Sequence, residues 1–425
     1  MERIEVNYKN KKRFNTAVYP RRQMFFLTWL IYVLSKLVLS TTKYKIEKKN
    51  MENIKGPYLM LSNHMYFVDF MLTSIGLYPK RVNNVINIDG YIGRAWLMRL
   101  VGGICTRKFS NDLHLIKSIL HTLKRGDIVG LYPEARYSAC GITSYIPDSL
   151  AKLVKMAKVP VVVIIHHGNH LRSPFWNFRK TRKVPLHTTI TQVLTAEQVK
   201  EMSVQEIDKV LRKEFEYDDY KYQLENNIKI TEPYRAEKMN KILYQCPHCK
   251  KEHMMESSGT EIYCTNCNKR WNLNEDGTLS ALNGETEFTH VPDWYNWQRS
   301  NVIKEVEEGT YSYEDEVEVY SLPRTEKVLK LGQAKVRHNP EEGFVLEGFY
   351  RGKDYRIIRA PLEANSLHIE YDHVHIKPFD CFDISTEDDS FNCFPTKTDV
   401  VTKLGFAVEE IYQLKMEEVA KSKKR

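Results

Sequence analysis

A histidine and an aspartate stand five positions apart in Asn63-His64-Met65-Tyr66-Phe67-Val68-Asp69. On one continuous helix two such positions diverge by about 140° and do not meet. With His64 in a loop after a strand and Asp69 in the first turn of a helix, they can. The carboxylate then holds one ring nitrogen, leaving the other to take a proton from a hydroxyl. A bare match of this kind arises easily by chance. A second instance, His375 with Asp380, has no supporting residues and reads as β-surface decoration. The first pair is followed by further chemistry. Gly102-Gly103-Ile104-Cys105-Thr106-Arg107-Lys108 puts two flexible glycines and then a fork-shaped cation at a strand, a phosphate grip. Leu131-Tyr132-Pro133-Glu134-Ala135-Arg136-Tyr137-Ser138 sets Glu134 and Arg136 past the carboxyl end of another strand, where open α/β sheets bind ligands. Val159-Pro160 opens an apolar run to Ile165, the pattern of a buried parallel strand.

This ordered set resembles the glycerolipid acyltransferases, the family of the 1-acylglycerol-3-phosphate acyltransferases. Asn63, His64 and Asp69 match its first motif and Arg107 the end of its second. Pro133, Glu134 and Ser138 match the third, and Val159 with Pro160 the fourth. The likeness spans residues 57–216. Where the family has glycine, threonine and arginine in the third motif, this chain has Ala135, Arg136 and Tyr137, so its arginine stands one position early. The resemblance implies an enzyme that moves an acyl group from an acyl thioester, acyl-CoA or acyl-carrier protein, to a lysophospholipid hydroxyl, with no catalytic cofactor. His64 is then the general base and Asp69 its orienter. Arg107, Lys108 and Arg136 hold the acceptor phosphate, and Glu134 positions the glycerol. The competing expectation is an inactive acyltransferase-fold scaffold that binds lipid and docks partners.

A different chemistry follows. Cys246-Pro-His-Cys249, fourteen residues, then Cys264-Thr-Asn-Cys267 is the spacing of a structural four-cysteine zinc ribbon. Full cysteine ligation leaves no open position, so this zinc is not catalytic. His166, His167 and His170 cluster after the fourth motif and read as strand-end packing.

These residues need elements to position them. Strands are expected at 58–62, 82–88, 104–107, 128–132, 159–166 and 186–194, alternating with helices at 65–77, 91–100, 111–123 and 148–157. That alternation predicts an α/β domain with a mainly parallel sheet. Thr195 with Gln198 and Ser203 with Glu206 are capping boxes. Short alternating strands from Val317 to Phe394, then an amphipathic helix at 399–416, predict a β-barrel or sandwich closed by one helix, similar to pleckstrin-homology-like domains. The boundaries expected are 1–45 (membrane-associating segment), 46–220 (acyltransferase domain), 221–241 (linker), 242–300 (ribbon and aromatic connector) and 314–425 (β-rich domain).

The chain has 425 residues and is 42% hydrophobic and 28% charged, which excludes disordered, collagen-like and polytopic membrane classes. From Glu314 onward, 17 Lys/Arg meet 22 Asp/Glu, net −5; the remainder has 46 against 32, net +14. A basic front predicts an anionic partner, and the acidic tail argues against nucleic acid. Lys9, Lys11, Lys12, Arg13, Arg21 and Arg22 precede an apolar run from Met24 to Ser40, interrupted by Lys36. That run is short for a span, which needs about 20 residues. It predicts a helix lying in the cytoplasmic leaflet of the cell membrane. What the ribbon and tail bind is left open.

Overall fold

The computed structural model describes residues 14–109, 112–325, 327–373, 376–386 and 389–422. His375 of the second His/Asp pair, Lys9, Lys11, Lys12 and Arg13 lie outside the described residues, as does Asn111 at the start of the helix expected at 111–123.

The first helix, α1 (Phe25–Val38), precedes β1 (Tyr44–Lys49), β2 (Leu59–Ser62), α2 (Val68–Leu77) and β3 (Val82–Asn87). Then come α3 (Ala95–Leu100), β4 (Ile104–Thr106), α4 (Leu113–Lys124), β5 (Ile128–Leu131), α5 (Ser149–Ala157), β6 (Val161–His167), α6 (Asn169–Arg172) and β7 (Leu186–Leu194). The seven strands form one sheet in the order β1-β7-β6-β2-β5-β3-β4. Only the β6–β7 neighbours are antiparallel. β2 is wholly buried between β5 and β6, with Leu59 and Leu61 in one apolar cluster and Met60 in another, as suits a central parallel strand. The expected strands and helices are present, with ends shifted by a few residues. β1 was not anticipated: Tyr-Lys-Ile-Glu-Lys-Lys is an edge strand whose charges hide its alternation. α7 (Ala196–Glu201) and α8 (Val204–Glu214) begin at the two capping boxes, both fully formed.

The stretch expected as a linker is packed. It overlaps α9 (Asp219–Glu225) and buries Ile228, Ile230, Ala236 and Met239. The cysteine segment is a four-stranded antiparallel sheet of β8 (Met255–Ser258), β9 (Glu261–Cys264), β10 (Arg270–Leu273) and β11 (Leu279–Ala281). The aromatic connector is a helix, α10 (Val291–Glu307), with proline in its first turn and Val291, Trp294, Tyr295 and Val302 buried.

The tail comprises β12 (Tyr313–Ser321), β13 (Leu329–Asn339), β14 (Gly343–Tyr350), β15 (Lys353–Arg359), β16 (His368–Glu370), β17 (Cys381–Ser385), β18 (Ser390–Pro395) and α11 (Val401–Ser422). Its strands form one antiparallel sheet in the order β15-β14-β13-β12-β18-β17-β16. The expectation of a closed barrel is corrected here: among the described residues no pairing joins β15 to β16. α11 lies along α10, where the Tyr295 and Phe406 rings meet at 4.8 Å. One apolar cluster runs through all of this, from Leu171 and Phe175 through Met255 and Trp271 to Val336, Phe382 and Leu404.

α1 has 14 residues, and among the described residues no helix is long and apolar enough to cross a membrane.

Candidate active site

β2 and β5 are parallel neighbours, so the loops at their carboxyl ends meet at one edge of the sheet. The first of these loops is anchored by Asn63. Its side-chain amide donates to the His166 carbonyl at 3.0 Å, and its Oδ1 accepts from the His166 N–H at 2.9 Å, tying the loop to β6. The two loops are joined where Ser138 N–H donates to the His64 carbonyl at 2.7 Å.

Asp69 stands in the first turn of α2 and is fully buried. Its Oδ2 accepts from His64 Nδ1 at 3.1 Å and from the backbone N–H groups of Met65 (2.6 Å) and Tyr66 (3.1 Å). Its Oδ1 accepts from Asn169 Nδ2 at 2.6 Å. Burial works to raise this carboxyl, but the His64 bond, the nearby His166 and Asn169 outweigh it and hold Asp69 below its ordinary range. An ionised carboxylate only accepts, so Nδ1 carries the ring proton and Nε2 keeps its lone pair. Burial lowers the His64 pKa against the pull of Asp69, with Lys108 adding to the lowering. The imidazole is therefore neutral at pH 7, the state a general base requires. Its side chain is 20% exposed.

Two tyrosines fix the ring. Tyr132 stacks on it at 3.8 Å between centroids and 18° between planes, and Tyr137 leans on it at 4.3 Å and 49°. Ala135 sits between them with φ of 53°, a left-handed conformation that suits glycine. Glu134 is buried, and its carboxylate accepts from Tyr217 Oη at 2.7 and 3.0 Å. Burial pushes it up to about 8, against that hydrogen bond.

The expected cations divide into two kinds. Arg107 is buried, and its Nη1 donates to the Leu322 carbonyl and to Ser390 Oγ, each at 3.1 Å, on the carboxy-terminal sheet. Arg136, also buried, donates to Glu409 Oε1 of α11 at 2.6 Å and to the Leu367 carbonyl at 3.2 Å. Lys108 is different: burial lowers its pKa, against the pull of Glu370, Asp89 and Asp383, and its charge is felt at His64. A cleft of about 210 Å³ lies at this seam, lined by Phe109, Pro133, Ala135, Tyr145, Leu362 and Tyr412.

His166 pairs with Thr188 and Thr73 through its ring nitrogens, and burial takes its pKa down to about 4. His166, His167 and His170 do not assemble as a ligand set among the described residues. The residues that spacing did not single out are Asn169, Tyr132, Tyr137 and Tyr217. Tyr132 and Tyr137 lie inside a quoted motif, whereas Asn169 is 100 positions from Asp69 and has no local signal.

The four cysteines do assemble. Cys246 and Cys267 Sγ are 3.7 Å apart, as are Cys249 and Cys264 Sγ, and all four sulfurs lie within 4.8 Å of one another. A tetrahedron of thiolates at the usual zinc–sulfur length has edges of about 3.8 Å. The set can hold one tetrahedral ion.

Residues 45–167 match the family model described as Acyltransferase. A search of curated proteins gives no match. Among solved structures the chain is similar to the 1-acyl-sn-glycerophosphate (LPA) acyltransferase, PlsC, from Thermotoga maritima, at 15% identity and a TM-score of 0.35. That alignment covers 44% of this chain and 78% of that one. The matched segment carries the His64–Asp69 pair, and the protein is an acyltransferase.

Proposed function

We propose that the protein moves a fatty acyl group from an acyl thioester, acyl-CoA or acyl-carrier protein, to the hydroxyl of a lysophospholipid, 1-acylglycerol-3-phosphate being the favoured acceptor. His64 Nε2 takes the hydroxyl proton, the oxygen attacks the thioester carbonyl, and the carbon–sulfur bond breaks as the ester forms. The proton passes from His64 to the departing thiolate. Lys108 is the cation assigned to the acceptor phosphate. Arg107 and Arg136 reach that phosphate only when their contacts with the carboxy-terminal region open. Glu134, neutral at pH 7, positions the glycerol. Zinc at Cys246, Cys249, Cys264 and Cys267 supplies structure and takes no part in transfer.

Residues 25–38 dock on the cytoplasmic face of the membrane. Phe25, Phe26, Leu34 and Leu37 are more than half exposed, while Thr28 and Ser35 are the buried ones, which supports a helix whose apolar side meets lipid. Seven antiparallel strands followed by one long helix support a pleckstrin-homology-like reading of residues 314–425.

The observation that carries the proposal is the Nδ1–Asp69 bond, which leaves Nε2 basic. Purified protein given acyl-CoA and a panel of lysolipids should release free thiol, and His64→Ala should not. Wild-type protein that binds lysolipid yet releases no more thiol than His64→Ala would instead be a lipid-binding scaffold.

A further inference from the structure

Away from the dyad, a second cluster of ligating side chains bridges the acyltransferase domain and the tail. Asp89 belongs to the single 3-10 turn Ile88–Tyr91 that follows β3. His368 and Asp383 are direct cross-strand partners on β16 and β17, with side chains only 5% and 4% exposed. One donor atom from each of the three lies within 4.8 Å of the other two. His368 Nδ1 is 2.5 Å from Asp383 Oδ2, and its Nε2 is 3.2 Å from Glu370 Oε1.

Each carboxylate is held from behind by an amide. Asn392 Nδ2 donates to Asp383 Oδ1 at 2.5 Å, and Asn87 Nδ2 donates to Asp89 Oδ2. Asp89 Oδ1 takes no bond from its amide and Asp383 Oδ2 faces the His368 ring, so an ion enters by replacing the proton between ring and carboxylate. Lys108 faces Asp89, Asp383 and Glu370. His368 bonds to two of these three carboxylates through its two ring nitrogens, so a divalent cation bound here displaces a ring proton and takes over its charge.

We propose that Asp89, His368 and Asp383 bind a divalent cation that clamps the carboxy-terminal sheet onto the acyltransferase domain. One imidazole nitrogen with two carboxylate oxygens suits Mn²⁺ or Zn²⁺, with water in the remaining positions. Donors around such an ion, at about 2.1 Å from it, stand about 3–4.2 Å apart, so the cluster closes with small side-chain movements. The inference is independent of the acyl acceptor.

The test titrates full-length, zinc-loaded protein with Mn²⁺ at neutral pH and follows the free ion by electron paramagnetic resonance. Thiolate ligands do not favour Mn²⁺, so the four-cysteine set stays silent. Wild type should take up one Mn²⁺ per chain, and Asp89→Asn and Asp383→Asn should each weaken uptake at least tenfold. In a parallel zinc arm, the content should be two ions per wild-type chain and one in either variant. Added Mn²⁺ should also raise the melting temperature of wild type but not that of Asp89→Asn, whose own cooperative melting transition without Mn²⁺ shows that this variant is folded. The proposal is overturned if wild type takes up no Mn²⁺ and holds no zinc beyond one ion. It is equally overturned if both variants bind as wild type does; either result would leave His368 as an imidazolium bridging Asp383 and Glu370.

Discussion

His64 can act as a base near neutrality because burial lowers its pKa while Asp69 keeps its ring in one orientation. For the proposed general base, the neutral ring is the working form. kcat/KM should therefore be at its plateau at pH 7 and fall as the pH drops through a value below the ordinary 6.5 of an imidazole. Asp69→Asn replaces the acceptor of the Nδ1 proton with a group that also donates, and the rate should fall by about 10²–10⁴-fold. Asn169→Ala removes one of four donors to a buried carboxylate and should cost about 1.5–3 kcal/mol in urea unfolding. Ala135 is strained by its φ of 53°, a conformation costing a residue with a Cβ about 1–2 kcal/mol. Ala135→Gly should therefore raise the denaturation midpoint slightly while leaving the Tyr132 and Tyr137 contacts with His64 in place, since glycine's unfolded-state entropy offsets only part of the relief. The dyad was legible because three further motifs follow it in order, since the five-residue spacing alone also selects His375 with Asp380. Arg107 and Arg136 were legible as cations but not in their contacts, because their partners lie more than 200 positions further along the chain.

At the scale of elements, most of the α/β sheet could be read because its strands are short apolar runs flanked by helix patterns. Two strands escaped for opposite reasons. β1 is an edge strand rich in lysine, and β17 is buried at every position, so neither alternates. Residues 221–241 gave no periodic signal because their partners are distant in sequence: Ile228 and Ile230 join the cluster shared with the ribbon, Tyr222 stacks on His167, and Tyr234 donates to the Thr181 carbonyl. The first helix inverts the usual pattern, with small polar residues inward and aromatic ones outward. Replacing Phe25, Phe26 and Leu37 together by serine should weaken sedimentation with anionic vesicles by at least about 100-fold, since each such side chain contributes about 1.5–3 kcal/mol on burial. Acyl transfer to a detergent-dispersed acceptor should be unchanged, because none of the three touches the His64 loop.

Across the whole molecule, Glu409 joins three parts of the chain. Fully buried on α11, it accepts from Arg136 beside the active site and Ser366 of the tail, and pairs with Arg299 of α10 at 2.9 Å. Glu409→Gln leaves the buried Arg136 short of its counter-charge, while Arg299 keeps Glu410, and should cost about 3–5 kcal/mol in chemical denaturation. The ribbon is likewise no detachable bead, because Cys246, Cys264 and Trp271 belong to the same apolar cluster as Phe175 and Leu404. Stripping zinc with a chelator should therefore lower the melting temperature of the entire protein in one cooperative transition, read by calorimetry, instead of melting a separate small unit. That cluster draws on residues from Ala139 to Ile411. A nascent chain leaving the ribosome can thus complete this core only once α11 has emerged.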